Sequence, residues 1–419
     1  MTGEVNLIVN LNKPMYPTLN TEQAAYVYIE AMPASGLPVA PGSVPLNLSF
    51  VLDRSGSMAG KPMQDLKQAA KVAIDRLSPQ DMISIIIFDD KADLIVPSQP
   101  ATNKFELMAK IDAIAERGGT QMSVGMQQGL GQLQSGLGAG RVNRMILLTD
   151  GETWEDQPLC LQLAQQAGQM GIPITALGLG EEWNLQLLTG LASASGGTYE
   201  YVDAPEKVIT AFQVIMAALQ GTVVANSHLT LRLVTGVHPK AVWRVTPLIE
   251  RLNHRALSER DAQVSLGDLQ KKGQSVLVEL TLPPRQPGTY RLAQAEVSYD
   301  VPGTGARNEK AQVDVMIGFV PDPAAAQAVN GRVMNIIEKV TAFKLQTQAL
   351  DEAAIGNMAN ATQKLRAAAT RLLNLGEVEM AQEAQAAAAQ MAAGQQLSPK
   401  ATKKLHAATK KLDMSDLGA

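Results

Sequence analysis

The sequence predicts a doubly wound, mostly parallel α/β sheet inserted in an antiparallel β-sandwich, followed by a C-terminal α-helical region. Three observations predict it. Apolar runs of strand length alternate with helical periodicity over residues 45–220. Apolar and polar residues alternate one by one on both sides of that stretch, in residues 1–44 and 221–321. Over residues 322–419 the strand pattern gives way to alanine-rich helical periodicity.

Bulk properties bound the function. A chain of 419 residues exceeds what one hydrophobic core organises, which fits the division into several units. With 46% hydrophobic and 18% charged residues it is globular in composition. A net charge of −4 supplies no bulk attraction to nucleic acid or to anionic membrane. Cys160 is the single cysteine, so internal disulfides and thiolate zinc clusters are excluded, and it reads as a small buried hydrophobe. The start "MTGEVNLIVNLNKPMYP" lacks a basic head followed by an apolar core, and no run approaches the ~20 apolar residues of a membrane span. A cytoplasmic protein is expected.

In chain order, "EVNLIVNLN" and "AAYVYIEAM" read as two strands that cannot form a stable unit alone, so they are expected to complete the sandwich. "PLNLSFVLD" (45–53) is a continuous apolar strand of the kind buried in parallel sheets. The helix 61–77 gathers Met63, Leu66, Ala70, Ala73, Ile74 and Leu77 on one face. "DMISIIIFDD" is a second central strand and "ADLIVPS" an edge strand. "NRMILLTD" (143–150) is a third central strand, ending, like the first, in an aspartate. In such sheets ligands bind beyond the carboxyl ends of the strands, where Asp53 and Asp150 lie.

Strands recur over 222–320, with Trp243 and Tyr290 expected in the core. Helices are expected at about 324–349, 352–374, 377–392 and 399–412, with Ser398 and Pro399 at cap and first-turn positions. Lys400, Lys403, Lys404, Lys410 and Lys411 read as a solvated basic face of the last helix.

The stretch "VLDRSGSMAGKPM" (51–63) carries the chemistry. A phosphate loop fails on spacing, because three residues instead of four separate Gly56 from Gly60-Lys61, and Pro62 stands where Ser or Thr is required. The glycines near 136–140 and 178–180 complete no dinucleotide fingerprint. A nucleophilic serine needs a nearby base, yet His228, His238, His254 and His406 all lie outside the α/β segment. A metal site accounts for the residue types. Gly56 permits a tight loop on which Asp53, Ser55 and Ser57 converge, and hard divalent cations take oxygen ligands. "ERGGTQMS" adds Thr120 and "LLTDGE" adds Asp150. Helix capping by Ser55 and Thr120 is the competing explanation.

The run D-x-S-G-S-M, then Gly-Gly-Thr, then an apolar strand ending T-D-G resembles the von Willebrand factor A-type (VWA) domains, in their bacterial form, over roughly 45–220. The layout is also similar to that of inter-α-trypsin inhibitor heavy chains. The resemblance implies a complete metal-ion-dependent adhesion site of Asp53, Ser55, Ser57, Thr120 and Asp150, holding Mg²⁺, with Mn²⁺ and Ca²⁺ as alternatives. It implies non-enzymatic binding of a protein partner that presents an Asp or Glu to the metal. A regulatory role beside a separate AAA+ ATPase is the alternative. A metal-dependent hydrolase ranks third, because it would need a base near the metal, and the nearby Asp89 and Glu152 read as solvated or turn residues.

Overall fold

The computed structural model describes residues 3–37, 44–138, 140–153, 155–258 and 260–410. The chain opens with strands β1 (Val5–Leu11), β2 (Met15–Pro17) and β3 (Gln23–Pro33). An α/β unit follows: β4 (Leu46–Asp53), α1 (Lys61–Asp75), β5 (Met82–Phe88), β6 (Ala92–Pro100), α2 (Lys104–Asp112), α3 (Met122–Gln134), β7 (Val142–Thr149), α4 (Gln157–Gln169), β8 (Ile174–Leu179), α5 (Leu185–Ser195), β9 (Thr198–Val202) and α6 (Lys207–Gln220). Then come β10 (Thr222–Leu233), β11 (His238–Thr246), β12 (Glu250–Leu252), β13 (Arg255–Ala256), β14 (Asp261–Gln270), β15 (Gln274–Leu282), β16 (Gly288–Val301) and β17 (Ala306–Val320). Helices α7 (Gly331–Ala354), α8 (Met358–Asn374), α9 (Val378–Ala392) and α10 (Pro399–Lys410) complete the described chain.

The α/β unit holds one sheet in the order β6-β5-β4-β7-β8-β9, parallel except for the edge strand β6. All eight residues of β4 and of β7 are buried, which explains their largely apolar sequence: helices cover both faces, and the buried Asn47 and Asn143 side chains pair with each other. One face packs on α1, α2 and α6, the other on α3, α4 and α5. Helix α3 lies unusually close to the sheet. A Cβ on Gly129 would come within 2.7 Å of Val51, and one on Gly125 within 2.8 Å of Phe88. That close approach draws the loop preceding α3 over the ends of β4 and β5.

The sandwich has two sheets, β1-β3-β15-β11-β12 and β13-β14-β10-β16-β17-β2. Strand β3 pairs with β1 on one side and with β15 on the other, so N-terminal and post-insertion strands share one sheet. The α/β unit is thus an insertion between β3 and β10, as the alternating pattern predicts. The facing sides enclose an aliphatic core that includes Val27, Ile29, Leu229, Val278 and Val297.

The outer face of the β3/β15/β11 sheet is covered by the C-terminal helices. Val333, Ile336, Val340 and Phe343 of α7 pack on Tyr28, Trp243, Val245 and Leu277. Trp243 therefore belongs to this helix–sheet interface, edge-on to Phe343 at 6.3 Å between ring centres, and not to the sandwich interior. Tyr290 is half-buried, edge-on to Phe319 beneath Arg285. Helix α7 begins later than the expected 324. Asp322 caps a separate 3₁₀ turn at Pro323–Ala326, and the Asn330 side chain accepts from the Val333 amide to start the helix proper.

The last helix also departs from expectation. Two of its lysines are buried instead of solvated. Lys403 lies over the Trp183 ring at 4.2 Å and donates to the Glu181 carbonyl, while Lys410 lies over Tyr199 at 4.0 Å. Lys400 and Lys404 pair with Glu181 and Glu383. Lys411 lies outside the described residues. Among the described residues no helix is long and apolar enough to cross a membrane.

Candidate metal centre

Asp53 closes β4 and is fully enclosed. Its Oδ1 accepts the Ser55 amide at 2.8 Å, and its Oδ2 accepts the Thr149 hydroxyl at 2.6 Å. Burial pushes the carboxyl up to about 6 against these hydrogen bonds, and Asp150 adds to the rise. Ser55 Oγ and Ser57 Oγ are 3.1 Å apart, and Ser57 donates to Asp150 Oδ1 at 2.7 Å. Asp150 is also raised, chiefly by burial, with Glu182 contributing as a like charge. Thr120 faces the same point: a Cβ built on Gly151 would sit 3.3 Å from Thr120 Oγ1 and 3.8 Å from Ser57 Oγ. The five predicted side chains thus meet on three loops at one end of the sheet.

Capping does not account for them. Ser55 precedes a 3₁₀ turn but makes no side-chain cap bond, and the N-cap position of α3 is Gln121, one residue beyond Thr120 and likewise without a side-chain cap bond. The amide of Ser123 at the head of α3 is instead satisfied by Asp156 at 2.7 Å.

A second set of residues, missed in the sequence reading, fixes the loops. Asp89, at the end of β5, is buried and ion-paired, not solvated. Its Oδ2 accepts Arg54 Nε at 2.7 Å and Arg117 Nε at 2.9 Å, and both guanidiniums continue to Asp93. Burial pushes the Asp89 carboxyl up, but the Lys91 amide and the two guanidiniums outweigh it and hold it below the ordinary carboxylate value. The backbone joins in: Arg117 donates to the Arg54 carbonyl, Gly56 to Gly118 and Gln121 to Asp89. Arg54 lies between two predicted ligands, and Asp89 ends a strand beside theirs; those positions were the available signal.

The donor set is two carboxylates and three hydroxyls. Among the described residues no three His, Cys, Asp or Glu side chains are arranged to hold a metal ion, so any cation here relies on hydroxyl oxygen. Oxygen-only donors suit hard divalent ions. Two carboxylates raised by burial and by neighbouring charge are what a cation would relieve. The residues fit a hard dication.

Residues 47–213 match the von Willebrand factor type A domain, and residues 331–415 match the Sll0103-like, C-terminal alpha-helical domain. Protein sll0103 of Synechocystis sp. is 33% identical over 273 residues, 63% of this chain and 64% of that protein. Inter-alpha-trypsin inhibitor heavy chain H4 of Homo sapiens is 30% identical over 249 residues, 56% of this chain and 25% of that one. The chain therefore spans less than two thirds of these curated relatives. Among solved structures, a von Willebrand factor type A protein from Catenulispora acidiphila covers 98% of both chains with a TM-score of 0.80 at 17% identity. The ArnB paralog VWA2 from Sulfolobus acidocaldarius covers 97% of this chain and 98% of its own with a TM-score of 0.62 at 14% identity. At these identities the two structures share the fold. The inserted α/β unit is a von Willebrand factor type A domain, and the helices that close the chain are an Sll0103-like C-terminal domain.

Proposed function

We propose that the chain binds a protein partner through a divalent cation, most simply Mg²⁺, and does not catalyse a reaction. Asp53, Ser55, Ser57, Thr120 and Asp150 would hold the ion directly or through water. The supporting observation is the convergence of these five oxygen-bearing side chains on three loops around two raised carboxylates. Bound there, the cation supplies an electron-poor centre for an anionic oxygen, and the partner group of matching chemistry is an exposed Asp or Glu. The protein's own contribution is orientation: the Asp89–Arg54–Arg117 cluster keeps the loops in register. The same cluster argues against hydrolysis, because Asp89 is engaged by two guanidiniums and held below the ordinary carboxylate value, a poor general base. Titration of Mg²⁺ into EDTA-stripped protein by calorimetry tests the reading. Saturable binding that disappears in Asp53→Ala is expected, and absence of binding to the intact chain overturns it.

A further inference from the structure

Helix α10 touches all three units of the chain. Toward the helices that precede it, Lys404 pairs with Glu383 at 2.7 Å, and the Leu405 carbonyl accepts from Gln346 Nε2 at 3.3 Å. Toward the sandwich, the Lys410 carbonyl accepts the Ile249 amide at 3.0 Å. Toward the VWA unit, its side chains reach strand β9 and the loop between β8 and α5. Lys400 pairs with the Glu181 carboxylate at 3.1 Å, Lys403 donates to the Glu181 carbonyl at 2.5 Å, and His406 Nδ1 meets the Tyr199 hydroxyl.

The first half of α10 thereby lies at the metal end of the sheet. The buried Lys403 ammonium stands over the Trp183 ring. That ring lies against Gly178 of β8, where a Cβ would approach it to 2.2 Å. Gly178 is the register partner of Thr149, whose hydroxyl holds Asp53. Beside this run of contacts opens a cleft of about 680 Å³, walled by Glu152, Glu181 and Glu182 of the VWA unit and by Pro399, Thr402 and Lys403 of α10. Burial pushes the Lys403 ammonium down to about 8, and the three glutamates oppose that shift, so it stays charged at neutral pH. Glu182 is also the like charge that acts on Asp150, and Glu152 stands two residues beyond Asp150. One carboxylate group thus serves two positions for positive charge, the metal loops and the lysines of α10. A dication at Asp53 and Asp150 draws on the glutamates that face Lys403 and repels Lys403 and Lys400. Solvent ions screen so enclosed a charge poorly.

Resting on the metal reading given above, we propose that α10 is a releasable latch, whose docking on the VWA unit and cation binding at the metal loops oppose each other. A bound cation loosens α10 from Trp183. By reciprocity, docked α10 lowers cation affinity by the same factor by which the cation weakens docking. The helical domain in this way responds to the state of the metal loops.

Mg²⁺ is titrated by calorimetry into the EDTA-stripped full chain at constant ionic strength, comparing wild type, Lys403→Met and Lys400→Gln. Lys403→Met keeps an apolar stem over Trp183 and removes the charge. It should bind Mg²⁺ at least threefold more tightly, and Lys400→Gln should shift affinity in the same direction. Amide hydrogen exchange of α10 in the wild type should quicken at least threefold on adding Mg²⁺, and should not change in Asp53→Ala. The exchange measurement needs no altered lysine, so it decides the question even where Lys403→Met fails to fold. Mg²⁺ that binds the wild type without changing α10 exchange, or binds both lysine variants no more tightly, overturns the latch and leaves the metal reading standing. No Mg²⁺ binding to any form overturns both.

Discussion

The hydroxyl of Ser57 donates to the carboxylate of Asp150 at 2.7 Å, joining two loops that lie 93 residues apart in the chain. Beside the buried Thr149–Asp53 bond, this hydrogen bond is a second tie between the ends of β4 and β7, on the exposed side. Ser57→Ala removes a proposed ligand oxygen and this tie while leaving both carboxylates. Mg²⁺ affinity should fall at least tenfold, about 1.4 kcal/mol, measured by calorimetry. Stability in EDTA should drop by no more than about 1 kcal/mol, because the serine is exposed.

Asp53 has the opposite balance. Its carboxylate is enclosed and raised to about 6, so in metal-free protein at pH 7 it is a buried charge facing a second carboxylate. Asp53→Asn should be neutral or slightly stabilising in EDTA and should abolish the Mg²⁺-induced rise in melting temperature. A large loss of stability in EDTA would show that Asp53 is a framework residue instead of a ligand.

Asp89 is predicted to matter for both stability and metal. Asp89→Ala leaves the buried guanidinium of Arg54 without its main partner, a change worth about 3 kcal/mol in denaturant unfolding. Since Arg54 and Arg117 flank the loops that bear Ser55 and Thr120, Mg²⁺ affinity should fall at least fivefold in the same variant.

Removal of residues 1–33 deletes β1 to β3 and uncovers the edge of β15. Val27, Tyr28 and Ile29 are buried, and each large apolar side chain contributes about 1.5–3 kcal/mol. The melting temperature should fall by roughly 10 °C or more, with association through the bare edge visible by size-exclusion chromatography. Residues 45–220 alone should still fold.

His406 gives a pH-dependent signature. It is half-buried at the junction of α10, Tyr199 and Phe343, where desolvation first, and the Lys410 charge second, lower its pKa to about 4. An unfolded histidine takes up its proton near 6.5, so between pH 6.5 and about 4 the unfolded chain binds more protons than the folded one. Stability is therefore lost as pH falls through that window, by up to about 1.4 kcal/mol per pH unit. His406→Gln keeps a side-chain acceptor for Tyr199 and should remove this part of the slope in urea unfolding.

Much of this was legible because the decisive signals are local. A strand that ends in Asp53, with Ser55 and Ser57 on the loop beyond it, marks a cluster of oxygen side chains at a strand end, and β4 and β7 announce two-sided burial by their largely apolar runs. The Asp89 cluster was not legible, since it depends on Arg54 and Arg117 arriving from residues 35 and 28 positions away. The lysines of α10 were misread for a related reason. Helical period shows where a cation lies on its own helix but not that Trp183 and Tyr199 stand opposite. Trp243 alternates correctly within β11, yet alternation cannot say which side of a sheet the helices cover.

The insertion between β3 and β10 has a mechanical corollary. The chain leaves the sandwich from one sheet and returns to it in the other, so the α/β unit is moored at two points. Both moorings lie at the end of the sheet opposite Asp53 and Asp150, separated from them by the length of β4, roughly 26 Å for eight residues. A single linker would let the unit swivel; two attachments deny it that rotation. If the loops at Asp53 and Asp150 hold a partner as proposed, tension applied there would run along the parallel strands and divide between two sheets, instead of peeling one strand from its neighbour.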